Sequence, residues 1–357
     1  MMGRGEAGDH DPATIPVQMA AISTEASTPQ HHTMMKGVFA RVVRIVVAVG
    51  LTALILWKSD PSAVLAATRS ADAGLILLAC TLVVVDRALM AYRWLTLLSP
   101  LDPSRRPPFS VVMRVFFVST FVGTFLPASV GGDAVRAYGL SREGVDGVDA
   151  VASVVMDRLL GVVSILLVAV AGAVLARDLI DIRVLLPALG VLCVACLAAV
   201  AVVFSARAAL LIRSMLQRLP RGRDAGLQLL GAVHRYGRYR SALMNVLGCS
   251  VAVQVLRVLQ TYCLGLALGL TVPLGVYFAL VPIILLIVLM PITINGIGTT
   301  QAGFVWLFGR VGVPNAPAFA LSVLFLAIAI VGNLPGGLLY LWGGMNDKRG
   351  ARDYAGP

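Results

Sequence analysis

Apolar runs of membrane-crossing length recur along this chain, and two shorter ones break on proline and glycine. Residues 121–138 read FVGTFLPASVGGDAVRAY: an apolar helix runs into Pro127, Ser129, Gly131 and Gly132, and Asp133 and Arg136 follow at once. Residues 289–304, LMPITINGIGTTQAGF, repeat the design, with Pro291 ahead of Thr293, Asn295, Gly296, Gly298, Thr299, Thr300 and Gln301. A broken helix frees backbone amides and carbonyls, which hydrocarbon tolerates only where they line an enclosed or water-filled cavity. One interrupted segment in each half of a membrane protein points to a transporter-like site. The plainer reading of each is a span that ends in a loop.

The rest of the chain fits a membrane protein. It is 58% hydrophobic and 13% charged, with mean hydropathy +0.88, whereas a soluble domain is nearer a quarter charged. The class is all-α: a polytopic helical membrane protein. The net charge of +11 rests on 26 arginines and 3 lysines. Most lie between the apolar runs, which fits the positive-inside bias and anionic headgroups rather than nucleic acid. Cys193 and Cys196 have metal-ligand spacing but sit in an apolar run with no second pair beside them, so neither a metal nor a cofactor is expected.

Six full spans are expected, near 45–57, 73–98, 150–176, 184–204, 242–270 and 318–342, within a transmembrane domain of residues 38–345. Polar tails flank it, a disordered one at 1–37 and a cytoplasmic one at 346–357. Residues 205–241 hold eight arginines against Asp224 alone, and pieces of this stretch read as amphipathic helices or as a solvated basic loop. If 111–138 and 276–308 are re-entrant hairpins entering from opposite faces, the basic loops at 99–110, 139–149 and 205–241 all fall inside. That satisfies the charge rule and gives the plan of an inverted repeat. The membrane is then a bacterial-type cell membrane.

Charges inside the spans mark the candidate site. Asp86, Met90 and Arg93 share one helix face. Asp86 and Arg93 stand two turns apart, so partners are expected on other helices. Arg87 joins this group, although an interfacial arginine beside Trp94 would explain Arg93 equally. Asp157 and Arg158 are neighbours that do not face each other on a helix, so each is expected to pair elsewhere. Ser250, Gln254, Arg257 and Thr261 form a polar stripe that does not face lipid. Helix–helix adhesion is the bland explanation of that stripe.

FLPASVGGDAVRAYGL, then ASVVMDRLLG, then PITINGIGTTQAGF resembles the lysylphosphatidylglycerol synthase transmembrane-domain family, also called flippase-like proteins. The resemblance runs from about residue 40 to 345. Its motifs are Pro-x-Ser-x-Gly-Gly-Asp-x-x-Arg, Asp-Arg about twenty residues on, and Asn-Gly-x-Gly-x-x-Gln. It implies a helical bundle with broken helices that moves aminoacylated or glycosylated lipids across the bilayer. Fused members carry a soluble aminoacyltransferase domain after the membrane part. This chain ends at Pro357, so aminoacylation by it alone is not expected.

Three functions stay open at this point. A translocase would bind a phospholipid or glycan-lipid headgroup through Arg136, Arg158 and Arg257, with Asp133 and Asp157 as their counter-ions and Asn295 and Gln301 as neutral donors and acceptors. A membrane-embedded transferase would use Asp133 or Asp157 as base. An accessory subunit would serve a glycosyltransferase or aminoacyltransferase partner.

Overall fold

In a computed structural model, the described residues are 50, 52–57, 59–98, 107–125, 130–177, 186–217, 222–289, 293 and 296–341. They fall within one compact unit. Both tails, Pro127, Ser129, Pro291, Asn295 and part of the first expected span lie outside them. Every regular element among the described residues is an α-helix.

Four helices have the length and apolarity of a span: α2 (Ala73–Leu97), α5 (Gly147–Leu175), α9 (Arg240–Ala267) and the helical stretch Asn315–Leu341, whose first part is α12 (Asn315–Val331). At 25 to 29 residues and 1.5 Å per residue, each exceeds a hydrocarbon core of about 30 Å. Short helix α1 (Pro61–Arg69) precedes them. Aspartates start two of the long helices. Asp72 accepts from the amides of Gly74 and Leu75, and Asp146 from those of Val148 and Asp149, which supplies acceptors for otherwise orphaned first-turn donors.

The run expected at 184–204 forms α6 (Leu186–Phe204). Its later part, Cys193–Phe204, meets α7 (Ala206–Leu216) at a 95° bend. Ser205 makes the corner, its hydroxyl accepting from the Ala208 amide. Helix α8 (Arg223–Tyr236) packs on α7, so the basic stretch is largely helical. Asp149 pairs with Arg235, and the Tyr236 hydroxyl donates to the Leu97 carbonyl at 3.1 Å. Burial and the nearby Asp149 push the Tyr236 hydroxyl well above its usual pKa, so it stays a donor.

Both broken segments are helical hairpins. In the first, α3 (Phe109–Phe125) returns as α4 (Val130–Arg142), with Gly139 against Val115, Arg136 beside Ser119 and Gly132 against Gly123. A Cβ on Gly123 would lie 2.9 Å from the Gly132 Cα, so the arms touch backbone to backbone near the break. In the second, α10 (Leu274–Leu289) returns as α11 (Thr299–Gly309), with Tyr277 packed on Phe308 and Gly303 on Ile284.

Around the hairpins, α2 runs along α9 and α10 along α5. Gly172 permits the second contact, because a Cβ there would lie 2.0 Å from the Phe278 carbonyl oxygen. The largest core cluster joins Tyr277, Leu280, Ile284, Phe304, Phe308 and Leu321. Outward faces carry exposed apolar side chains such as Leu77, Val174, Val194, Leu197 and Leu338, while Asp86, Arg93, Arg136 and Asp157 are buried. Apolar outside and charged inside is the distribution a lipid solvent selects.

Candidate functional site

The charged side chains of the spans converge on one cavity of about 330 Å³, walled by α2, α5, α9, both hairpins and the last helical stretch. Helical periodicity brings them there. Asp86, Met90 and Arg93 share one face of α2, as Asp157 and Gly161 do on α5 and Gln254 and Arg257 on α9, while Arg87 and Arg158 reach the same cavity from the edge of those faces.

Three ion groups line the wall. In the first, Asp157 is shared by two arginines from different elements, Arg93 at 2.7 Å and Arg136 at 3.2 Å. Arg93 also donates to Ser250. The Arg136 guanidinium lies 4.9 Å from the Phe116 ring centroid and 5.3 Å from that of Trp94, a cation–π seat in a water-poor setting. In the second, Arg158 grips Asp133 with two hydrogen bonds of 2.7 Å, joining α5 to α4. The neighbours Asp157 and Arg158 thus find separate partners, as their helical angle requires.

The third group is looser. Asp86 lies 3.3 Å from Arg87 and 3.5 Å from Arg257. Adjacent residues meet here because the long arginine side chain bends back on its neighbour. Both guanidiniums also donate to the Met90 sulfur, at 3.3 Å each.

Gly132, Asp133, Arg136, Asp157, Arg158, Gln254, Arg257 and Gly296 therefore stand on one wall together with Asp86, Arg87 and Arg93. Gly131, Gly298 and Gln301 are not on it. Gln301 is buried and accepts from the Gly298 amide at 2.6 Å, holding the first turn of α11. Thr261 donates to the Arg257 carbonyl of its own helix. Pro127, Ser129 and Asn295 lie outside the described residues.

Sequence reasoning passed over Ser119, Thr120, Thr124, Gln260 and Asn333, all on the cavity wall. Asn333 donates to the Thr124 hydroxyl at 2.9 Å and so ties the last helical stretch to the first hairpin. The available signal was a lone amide in the apolar run of residues 318–342.

Fold and site define a multi-pass membrane protein with an arginine-rich internal cavity between two helical hairpins. Residues 41–336 match the lysylphosphatidylglycerol synthase TM region family, and the chain belongs to it. No curated protein and no solved structure matches the chain.

Proposed function

We infer that this protein carries an anionic lipid headgroup across the bilayer through the cavity. The observation behind this reading is the charge balance of the wall: five arginines (Arg87, Arg93, Arg136, Arg158 and Arg257) face three aspartates (Asp86, Asp133 and Asp157). Two positive charges in excess, in low dielectric, favour an anion and disfavour a cation. A phosphate also matches the planar fork of arginine. Residues flanking both breaks, Thr124 and Gly132 in the first hairpin and Leu289 and Gly296 in the second, line the same cavity, the arrangement on which broken-helix transporters build their sites.

The same reading orients the protein in a cell membrane. The basic 205–241 stretch takes the cytoplasmic side, with α7 along the inner leaflet. Leu210, Leu211 and Met215 are exposed on α7, and acyl chains would cover them while Arg207 and Arg213 meet anionic headgroups.

The test is purified protein in sealed vesicles holding a trace of fluorescent phosphatidylglycerol, bleached from outside by a membrane-impermeant reductant. The expected result is that inner-leaflet probe becomes bleachable with wild-type protein, and that Arg257→Ala abolishes this while remaining monodisperse in size-exclusion chromatography. Wild-type vesicles that keep their inner probe protected, for phosphatidylglycerol and for a lipid-linked glycan alike, would overturn the reading in favour of an accessory role.

A further inference from the structure

We propose that Arg87 and Arg257 form the seat for the ligand phosphate, with Asp86 as a built-in counter-anion that the ligand displaces. The proposal rests on the anionic-ligand reading above and singles out one of the three ion groups.

The other two groups are already engaged. Both Arg158 donors toward Asp133 are used at 2.7 Å. Arg136 is occupied by Asp157, Ser119 and two aromatic rings, and the Arg93 and Arg136 side chains are only 6% and 7% exposed. Arg87 and Arg257 are held differently. Their side chains are 12% and 22% exposed. Their one carboxylate stands at 3.3 and 3.5 Å, and the Asp86 oxygen nearer Arg257 makes no hydrogen bond among the described residues. The Arg87 Nε is buried and likewise has no hydrogen-bond partner among the described residues; the Arg93 Nε shares that state, but Arg93 keeps Asp157 at 2.7 Å and Ser250 at 3.1 Å through its other two nitrogens. Among the described residues, the remaining hydrogen-bond acceptor is the Met90 sulfur, shared by both.

A thioether is a poor acceptor for one guanidinium, let alone two. A buried charged donor without a partner is costly, and that cost is removed when an anion arrives. Because both groups touch the same sulfur atom, they stand close enough for one phosphate to bridge them. They come from different helices, α2 and α9, so bound phosphate would also clamp those helices together. Gly332 backs the seat: a Cβ there would lie 3.3 Å from the Arg87 Nε.

Titration calorimetry on the detergent-solubilised full chain tests the proposal with three probes: short-chain phosphatidylglycerol, the matching diacylglycerol without phosphate, and inorganic phosphate. The expected result is binding of the phospholipid, none of the diacylglycerol, and an affinity about ten- to a hundredfold lower in Arg87→Gln and in Arg257→Gln. Asp86→Asn, which removes the internal competitor, raises affinity. Arg69→Gln, exposed on α1 and away from the cavity wall, leaves it unchanged. Arg87→Lys and Arg257→Lys keep the charge and the fold but lose the fork, so both bind more weakly.

Unchanged phospholipid affinity in both glutamine variants, or in both lysine variants if the glutamine ones do not fold, would overturn the seat. So would a fall in affinity in Asp86→Asn. Inorganic phosphate that binds wild type and binds more weakly in both glutamine variants, while the phospholipid fails to bind, supports the seat and overturns the lipid reading. Vesicle transport that persists in variants with unchanged affinity sinks the seat alone.

Discussion

Arg93 on α2 and Asp157 on α5 meet at 2.7 Å with side chains only 6% and 5% exposed. The same carboxylate receives Arg136 from the first hairpin, so one aspartate joins three elements. Removing it leaves two buried guanidiniums without their anion, and breaking such a pair typically costs about 3–5 kcal/mol. Asp157→Ala is therefore expected to lose most of its monodisperse peak in size-exclusion chromatography and to melt well below wild type. A wild-type melting temperature would mean that water or lipid already neutralises the cluster.

The Arg158–Asp133 pair is predicted to behave differently. Its arginine is 43% exposed, so screening reduces its weight in stability to about 1 kcal/mol or less. Asp133→Asn should fold and melt nearly as wild type. It should change transport, because the bidentate grip ties α4 to α5 and releasing it shifts the balance between cavity states. Unchanged rates in the bleaching assay would leave the pair with no part in transport.

Gly336 is predicted to be intolerant of any side chain. A Cβ there would lie 2.0 Å from the Phe117 carbonyl oxygen, where backbone blocks any rotamer escape. With Gly332 one turn earlier, where a Cβ would lie 2.3 Å from the Val83 side chain, it lets the last helical stretch sit directly on α2 and α3. Gly336→Leu should cost at least about 1–3 kcal/mol through overpacking. The measurement is folded yield and thermal melting in detergent, with Gly309→Ala, which meets open space, as the tolerant control.

Orientation can be checked by cysteine labelling. Gly144 and Gly222 have positive φ and would be strained by any side chain, so the exposed positions Arg142 and Asp224 serve better. In a cysteine-free background, Arg142→Cys and Asp224→Cys should resist an impermeant maleimide applied to intact cells and react after permeabilisation. Reaction of both from outside would remove the cytoplasmic placement of these segments.

The helical membrane class was legible in the sequence, because long apolar runs with isolated charges have few stable alternatives in lipid. The hairpins were legible too, since the proline- and glycine-containing stretches at 127–132 and 291–298 follow short apolar helices, although Gly131 and Gly132, expected to break the helix, lie in the first turn of α4. Even the need for Asp157 and Arg158 to find separate partners followed from helical angles alone.

Partner identity was not legible. That Asp157 takes Arg93 and Arg136, while Asp86 is left between Arg87 and Arg257, depends on which helices adjoin and how they rotate, and no local pattern carries that. The same limit separates Gln301 from Gln254. Both are polar residues in apolar helices, but one turns back to cap its own backbone and the other faces the cavity. Local chemistry dictates that a buried polar group must find a partner. Only the packing of distant segments decides whether that partner is the chain itself or space left for a ligand.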